Sequence, residues 1–149
     1  MPTFEVVSYP SGVVIARLQP GEELIQAVTD LAAKLSVKSG IVVAIGGLSS
    51  VELGVYRGGR YDVESYEVKQ GETIELTSAM GSVAIGDDGK PSVHIHATVS
   101  LPDHRTSAGH LLRATVSPLV EVFIIGLSAM LRRTVDPSIG LSALSLIHI

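Results

Sequence analysis

The sequence predicts an α+β domain with a mainly antiparallel sheet of about seven strands and one principal helix. Three observations support this prediction. A single segment repeats its apolar residues with the period of a helix. In the remaining chain, polar and apolar residues alternate, or apolar residues follow one another, in short stretches. Turns that contain glycine separate these stretches. Those turns are too short for a parallel return, which needs a crossover of a dozen or more residues.

Composition limits the class of protein. The chain has 149 residues, a usual length for one domain, which we place at residues 1–143. Hydrophobic residues make up 46% and charged residues 17%, so the chain is too apolar to be disordered. The net charge of −4 opposes non-specific binding to nucleic acid. Because there is no cysteine, a metal site would have to use histidine and carboxylate ligands.

The first element predicted is a β-hairpin, with strands near 3–8 and 13–18 around a turn at 9–12. No cationic segment precedes an apolar one here, so we expect no secretory signal and a cytoplasmic protein. The longest apolar stretch, 119–131, is about half of a bilayer span and contains Glu121. It therefore predicts a buried strand and no association with a membrane.

A helix is predicted over residues 22–37, between Pro20-Gly21 and Gly40. Acidic residues at its start and lysines near its end suit the helix dipole. The apolar residues fall on one stripe of such a helix; they are Leu24, Ile25, Val28, Leu31, Ala32 and Leu35.

After Gly40 the pattern is that of strands and turns, with a turn at Gly86-Asp87-Asp88-Gly89. The predicted strands lie near 41–46, 49–57, 61–69, 73–86, 91–100, 110–117 and 119–132. The last six residues, 144–149, resemble a translated sequencing adapter, so we expect a non-native end there and exclude His148 from any site.

Three histidines have a spacing that indicates a metal site. His94 and His96 are two residues apart, so in a strand both point to the same face. His110 follows after a turn near 101–103, where a hairpin would bring it to the pair. Such a tripod suits Zn²⁺ and leaves a fourth position for water or a ligand. A His-x-His pair alone is common in ordinary strands, and His104 is expected to be a solvated turn residue.

Glu121 interrupts a strand that should be buried, so its carboxylate needs a partner. One interpretation is an ion pair with Arg17 or Arg113. The other is a functional carboxylate, which orients a metal-bound imidazole or serves as a general base. The sequence leaves both open.

Four motifs, in order, resemble the plants-and-prokaryotes-conserved (PPC) domain family over roughly residues 13–133. They are Arg17-Leu18-x-Pro20-Gly21-Glu22, the run from Ile45-Gly46-Gly47-Leu48 to Gly54, His94-x-His96, and Gly109-His110-Leu111. The resemblance implies an α+β fold, a homotrimer and, as in some prokaryotic members, a metal held by His94, His96 and His110. Ala108 departs from the family's Gly-Gly-His-Leu, and it would be strained if that first glycine needs positive φ.

The resulting hypothesis is a cytoplasmic homotrimer that binds zinc through the three histidines and acts as a binding or regulatory module. An alternative is a zinc-dependent hydrolase or lyase that acts on a small molecule at an open site. DNA is a third partner class, suggested by the family label alone. Plant relatives carry a basic AT-hook, whereas this sequence contains no such segment.

Overall fold

The computed structural model describes residues 4–8 and 12–145. Within these residues the chain forms nine strands and one helix. Their bounds are β1 (Phe4–Ser8), β2 (Val13–Leu18), α1 (Leu24–Lys34), β3 (Gly40–Tyr56), β4 (Tyr61–Glu67), β5 (Ile74–Ile85), β6 (Pro91–Ser100), β7 (Thr106–Gly126), β8 (Arg133–Asp136) and β9 (Leu141–Leu144). The helix spans 11 residues, too few to cross a bilayer.

The main sheet has seven strands in the order β1-β2-β7-β6-β5-β3-β4. All of its strand pairs are antiparallel, which confirms the predicted fold class. Strand β3 also pairs with β7, so β3, β5, β6 and β7 form a closed ring of pairings. The hairpin that joins β6 to β7 places β6 and the beginning of β7 next to each other, where the histidines lie.

Two pairs of predicted strands are in fact single long strands. Residues 41–46 and 49–57 both belong to β3, and a bulge near Gly46 replaces the expected turn. A Cβ atom at Gly46 would lie 2.3 Å from the carbonyl oxygen of Leu119, so the two strands touch where the bulge forms. Residues 110–117 and 119–126 are likewise one strand, β7, which runs through the cis peptide bond at Ser117-Pro118.

The helix is shorter than the predicted 22–37. It begins after Glu23, whose carboxylate accepts hydrogen bonds from the backbone N–H groups of Ile25 (3.2 Å) and Gln26 (2.7 Å). Its end comes before Gly40, because Ser36 takes the left-handed conformation with φ +56°. The helix buries its apolar stripe in the single core cluster that the inner face of the sheet completes.

The chain beyond residue 126 departs from the predicted strand 119–132. It leaves the main sheet and forms the separate hairpin β8–β9, which the sequence did not predict. Of the suspected non-native end, Leu144 lies in β9 and the Ser145 N–H donates to the carbonyl of Arg132. Residues 146–149, residue 3 and the predicted turn at 9–11 lie outside the described residues.

Candidate metal centre

The three predicted histidines come together on one face of the sheet. His94 and His96 project from β6, and His110 on β7 lies directly opposite His96. Their ring centroids are 5.0 Å apart for His94 and His96, 5.1 Å for His94 and His110, and 5.7 Å for His96 and His110. One ring nitrogen from each lies within 4.8 Å of the other two, the arrangement of a candidate metal centre.

Two glycines let the strands approach closely at this point. A Cβ atom at Gly81 on β5 would lie 1.8 Å from the carbonyl oxygen of His94, and one at Gly109 would lie 2.6 Å from that of Gly54. Strain at Ala108 is not observed, since Ala108 pairs regularly with Thr98. Gly109, rather than the residue before it, is therefore the position in this motif that excludes a side chain.

Tyr61 packs on the centre, although sequence reasoning did not select it. Its ring stacks on His110 with a centroid distance of 4.5 Å and an interplanar angle of 12°. The space for this ring exists because Gly54, the partner of His110 in register, has no side chain. The predicted strands 49–57 and 61–69 around Gly58-Gly59 were the available signal, because their pairing places Tyr61 beside β3.

Burial favours the neutral form of two of the imidazoles, those of His94 and His110. Burial lowers the pKa of His94 from 6.5 to about 4, and repulsion by His110, His96 and Arg133 adds to this effect. Burial, followed by the charge of His96, also lowers the pKa of His110. Neutral imidazoles retain a lone pair for a metal, so proton competition at neutral pH is weak.

A second, independent observation also indicates a metal at these residues. The Nδ1 atom of His110 is buried and has no hydrogen-bond partner. A buried polar atom of this kind ordinarily has one, and a metal ion would supply it. Three neutral nitrogen donors match the ligand preference of Zn²⁺ and leave coordination positions free.

The prediction that Glu121 is buried is wrong. Glu121 is exposed and lies on β7 opposite Arg17 on one side and Ile45 on the other. It comes eleven residues after His110 on the same strand, about 35 Å along the chain at an ordinary strand rise. Among the described residues of one chain, Glu121 is not part of the histidine cluster. Arg113, its other predicted partner, lies opposite Glu52.

His104 lies away from the cluster, as expected. It is exposed in the turn between β6 and β7, where its N–H donates to the carbonyl of Leu101 over 2.8 Å. Its φ of +71° is a conformation that histidine tolerates better than most residues.

Arg133 on β8 is the second residue near the centre that sequence reasoning missed. It is buried, with 4% of its surface exposed. Its guanidinium donates to the Ser92 carbonyl (2.7 Å), the Ser92 hydroxyl (3.3 Å) and the Ser82 hydroxyl (2.5 Å). These contacts depend on how the β8–β9 hairpin folds back over β5 and β6, which no local pattern in the sequence indicates.

The fold and the three-histidine cluster together define a small α+β protein with a candidate metal centre on its sheet. The family model of the Plants and Prokaryotes Conserved (PCC) domain, the PPC family named above, matches residues 9–128. The chain belongs to this family. No curated protein matches the sequence.

Several solved structures share the fold. A candidate DNA-binding protein from Ralstonia eutropha JMP134 is 30% identical, with a TM-score of 0.84 over 95% of each chain. A metal-containing protein from Archaeoglobus fulgidus is 27% identical, with a TM-score of 0.80 over 97% of this chain and 99% of that one. A candidate DNA-binding protein from Bacteroides thetaiotaomicron is 21% identical, with a TM-score of 0.86 over 97% and 98%, and shows the fold alone.

Proposed function

We propose that the protein is a cytoplasmic homotrimeric module that binds one divalent metal ion per chain, preferably zinc, through His94, His96 and His110. The observation that carries the proposal is the convergence of three ring nitrogens within 4.8 Å, with the buried Nδ1 of His110 unbonded. The metal-containing relative from Archaeoglobus fulgidus supports a metal in this family.

An apolar outer face of the sheet supports self-association. Register pairs across five strands place His96, Met80, Val43, Phe123 and Ile15 in one row, and residues opposite each other share a face. The next row contains His94, Ser82, Ile41, Ile125 and Val13. Met80 is 61% exposed in the isolated chain. A continuous apolar face of this kind usually marks a contact with another protein surface.

Metal analysis tests the proposal. Wild-type protein, a His94→Ala/His96→Ala variant and a His104→Ala control are loaded with zinc, freed of excess metal by gel filtration and assayed by mass spectrometry. Wild type and the control are expected to retain about one zinc per chain, since a tripod needs all of its ligands. An equal zinc content in the double variant would show that His94 and His96 do not bind the metal.

The second candidate function is that of a zinc-dependent hydrolase or lyase. The observation that favours it is the exposure of His96, which leaves one side of the centre open to a small molecule. A bound zinc ion would supply Lewis acidity and lower the pKa of a coordinated water. Glu121, the candidate proton acceptor, is not part of the cluster in the described chain, so this candidate is the weaker of the two. Zinc-dependent hydrolysis of a panel of activated esters, lost in the double variant, would support it.

DNA association is a third proposal, supported by the name of the Ralstonia protein. The net charge of −4 argues against it. A gel-shift titration with duplex DNA at low ionic strength tests it, and no shift would dismiss it.

A further inference from the structure

The guanidinium of Arg133 has no counter-charge among residues 12–145. Its three hydrogen bonds all go to neutral oxygens of Ser82 and Ser92. None of the ion pairs formed by the described residues includes it. Two of its five N–H donors, that of Nε and one on Nη2, meet no acceptor among residues 12–145.

Such an arrangement is unusual for a buried arginine. Buried charged groups are ordinarily paired or bound to an ion. Hydroxyl and carbonyl partners offset only part of the cost of removing the charge from water. An anion at this place would complete the pairing.

The position of Arg133 connects it to the histidine centre. Ser82 is the register partner of His94, and Ser92 precedes His94 by two residues on the same face of β6. Arg133 binds both serines, so it lies next to His94 at the edge of the centre. Its charge is felt there, because it contributes to the lowered pKa of His94.

The charges at the centre all have the same sign. Three neutral imidazoles bring no negative charge to a divalent cation, so the loaded centre would carry two positive charges and Arg133 would add a third. The groups that act on His94 are two histidines and Arg133, with no carboxylate among them. A site of this charge favours an anionic ligand over a neutral one.

We propose that the histidine centre binds a small oxyanion, a carboxylate or a phosphate monoester, between the metal and the free N–H donors of Arg133. The inference rests on the proposed metal site and specifies its ligand class. Arginine suits this task because it presents several N–H donors to the oxygens of such a group.

Cobalt(II) provides the test, since its visible absorption reports both metal binding and ligand exchange. The metal-free protein is loaded with Co²⁺ and titrated with acetate, and in a second arm with methyl phosphate. Wild type is compared with Arg133→Gln, Arg133→Lys and the matched control Arg132→Gln, whose side chain is exposed. Far-ultraviolet circular dichroism and the cobalt spectrum before titration verify that each variant is folded and loaded.

The expected result is saturable binding of at least one anion to wild type and to Arg132→Gln. Arg133→Gln should lose about tenfold or more in anion affinity, as for loss of a charged hydrogen bond, while Arg133→Lys loses less. The arm with the tighter binding identifies the oxyanion.

Cobalt binding without a response to either anion, or an unchanged affinity in Arg133→Gln, would overturn the oxyanion inference and leave the metal site intact. If Arg133→Gln does not fold, an unchanged affinity in Arg133→Lys and in Ser82→Ala would overturn it. Failure of wild type to bind cobalt at all would overturn the proposed metal function and this inference together.

Discussion

His94 illustrates how the environment of one residue prepares a metal ligand. Its pKa is lowered to about 4, chiefly by burial, whereas the ordinary value is 6.5. The folded state therefore favours the neutral ring, and this contribution to stability is fully present above pH 6.5. It decreases as the pH falls from 6.5 towards 4, because the unfolded chain takes up the proton first.

We therefore expect the metal-free protein to lose stability between pH 6.5 and 4 more steeply than its His94→Gln variant. Urea denaturation in the presence of a chelator, at several pH values, measures the free energy of unfolding. The His104→Gln control replaces a histidine that is exposed in a turn, so the slope of its pH curve should match that of wild type even if its overall stability differs. Parallel pH curves for wild type and His94→Gln would contradict the expected role of burial.

Tyr61 allows a second prediction for a single residue. Its ring stacks on His110 and restricts the rotation of that imidazole. Tyr61→Ala should weaken zinc binding by about tenfold, the lower end of the effect of residues that orient metal ligands. Tyr61→Phe retains the stacked ring and should bind zinc as wild type does. Competition with a colorimetric zinc chelator gives both affinities, and equal affinity in the alanine variant would show that the stacking has no positioning role.

The spacing of the three histidines along the chain predicted that they would come together, but it gave no information about the residues around them. Two histidines at i and i+2 share a face in any strand, and a short hairpin could return the third. Glu121 was misjudged because the apolar run around it suggested burial on both faces. In the structure Val120, Val122 and Ile124 face the core, while Glu121 and Ile125 are exposed on the other face.

At the scale of elements, the contact between β5 and β6 determines where His94 lies. Gly81 faces Ile95 in register, and a Cβ atom there would lie 1.8 Å from the His94 carbonyl oxygen. Backbone lies on both sides of this contact, so no side-chain rotation can relieve it. Gly81 therefore has a structural role in the site that its sequence context did not indicate.

Gly81→Ala should separate β5 from β6, destabilise the fold by about 3 kcal/mol or more, and weaken zinc binding. Chemical denaturation of the metal-free protein measures the first effect, and chelator competition measures the second. Ser78→Ala, at an exposed position of the same strand, is the matched control and should change neither. Wild-type stability in Gly81→Ala would mean that the two strands are not held this closely.

For the helix and the main sheet, the predicted element types were correct and their boundaries were not, while the β8–β9 hairpin was missed. Glycine and proline were taken as ends of strands, but the bulge near Gly46 and the cis bond before Pro118 lie within continuous strands. Pairing with long neighbouring strands maintains β3 and β7 through these irregularities. The helix was identified by its apolar stripe, whereas its ends depend on the Glu23 cap and on the backbone of Ser36.

The proposed trimer depends on the apolar outer face of the sheet. Both faces of the sheet carry apolar residues, but within a single chain only the inner face is buried in the core. The remaining apolar face meets the histidines at one end of its two rows. If this face is covered in a trimer, the metal centre lies at the margin of the contact between subunits.

A charge at the middle of this face should therefore dissociate the proposed trimer. Ile41 is 39% exposed and is flanked by Ser82 and Ile125, so Ile41→Glu leaves the core intact but places a carboxylate in the proposed contact, where desolvation opposes it. Light scattering coupled to gel filtration should give the mass of a trimer for wild type and of a monomer for the variant. Val135→Glu introduces the same charge at a residue that is 63% exposed on β8, and it should remain trimeric. A wild-type mass in Ile41→Glu would place the subunit contact on another surface, and the apolar face would then need a different partner.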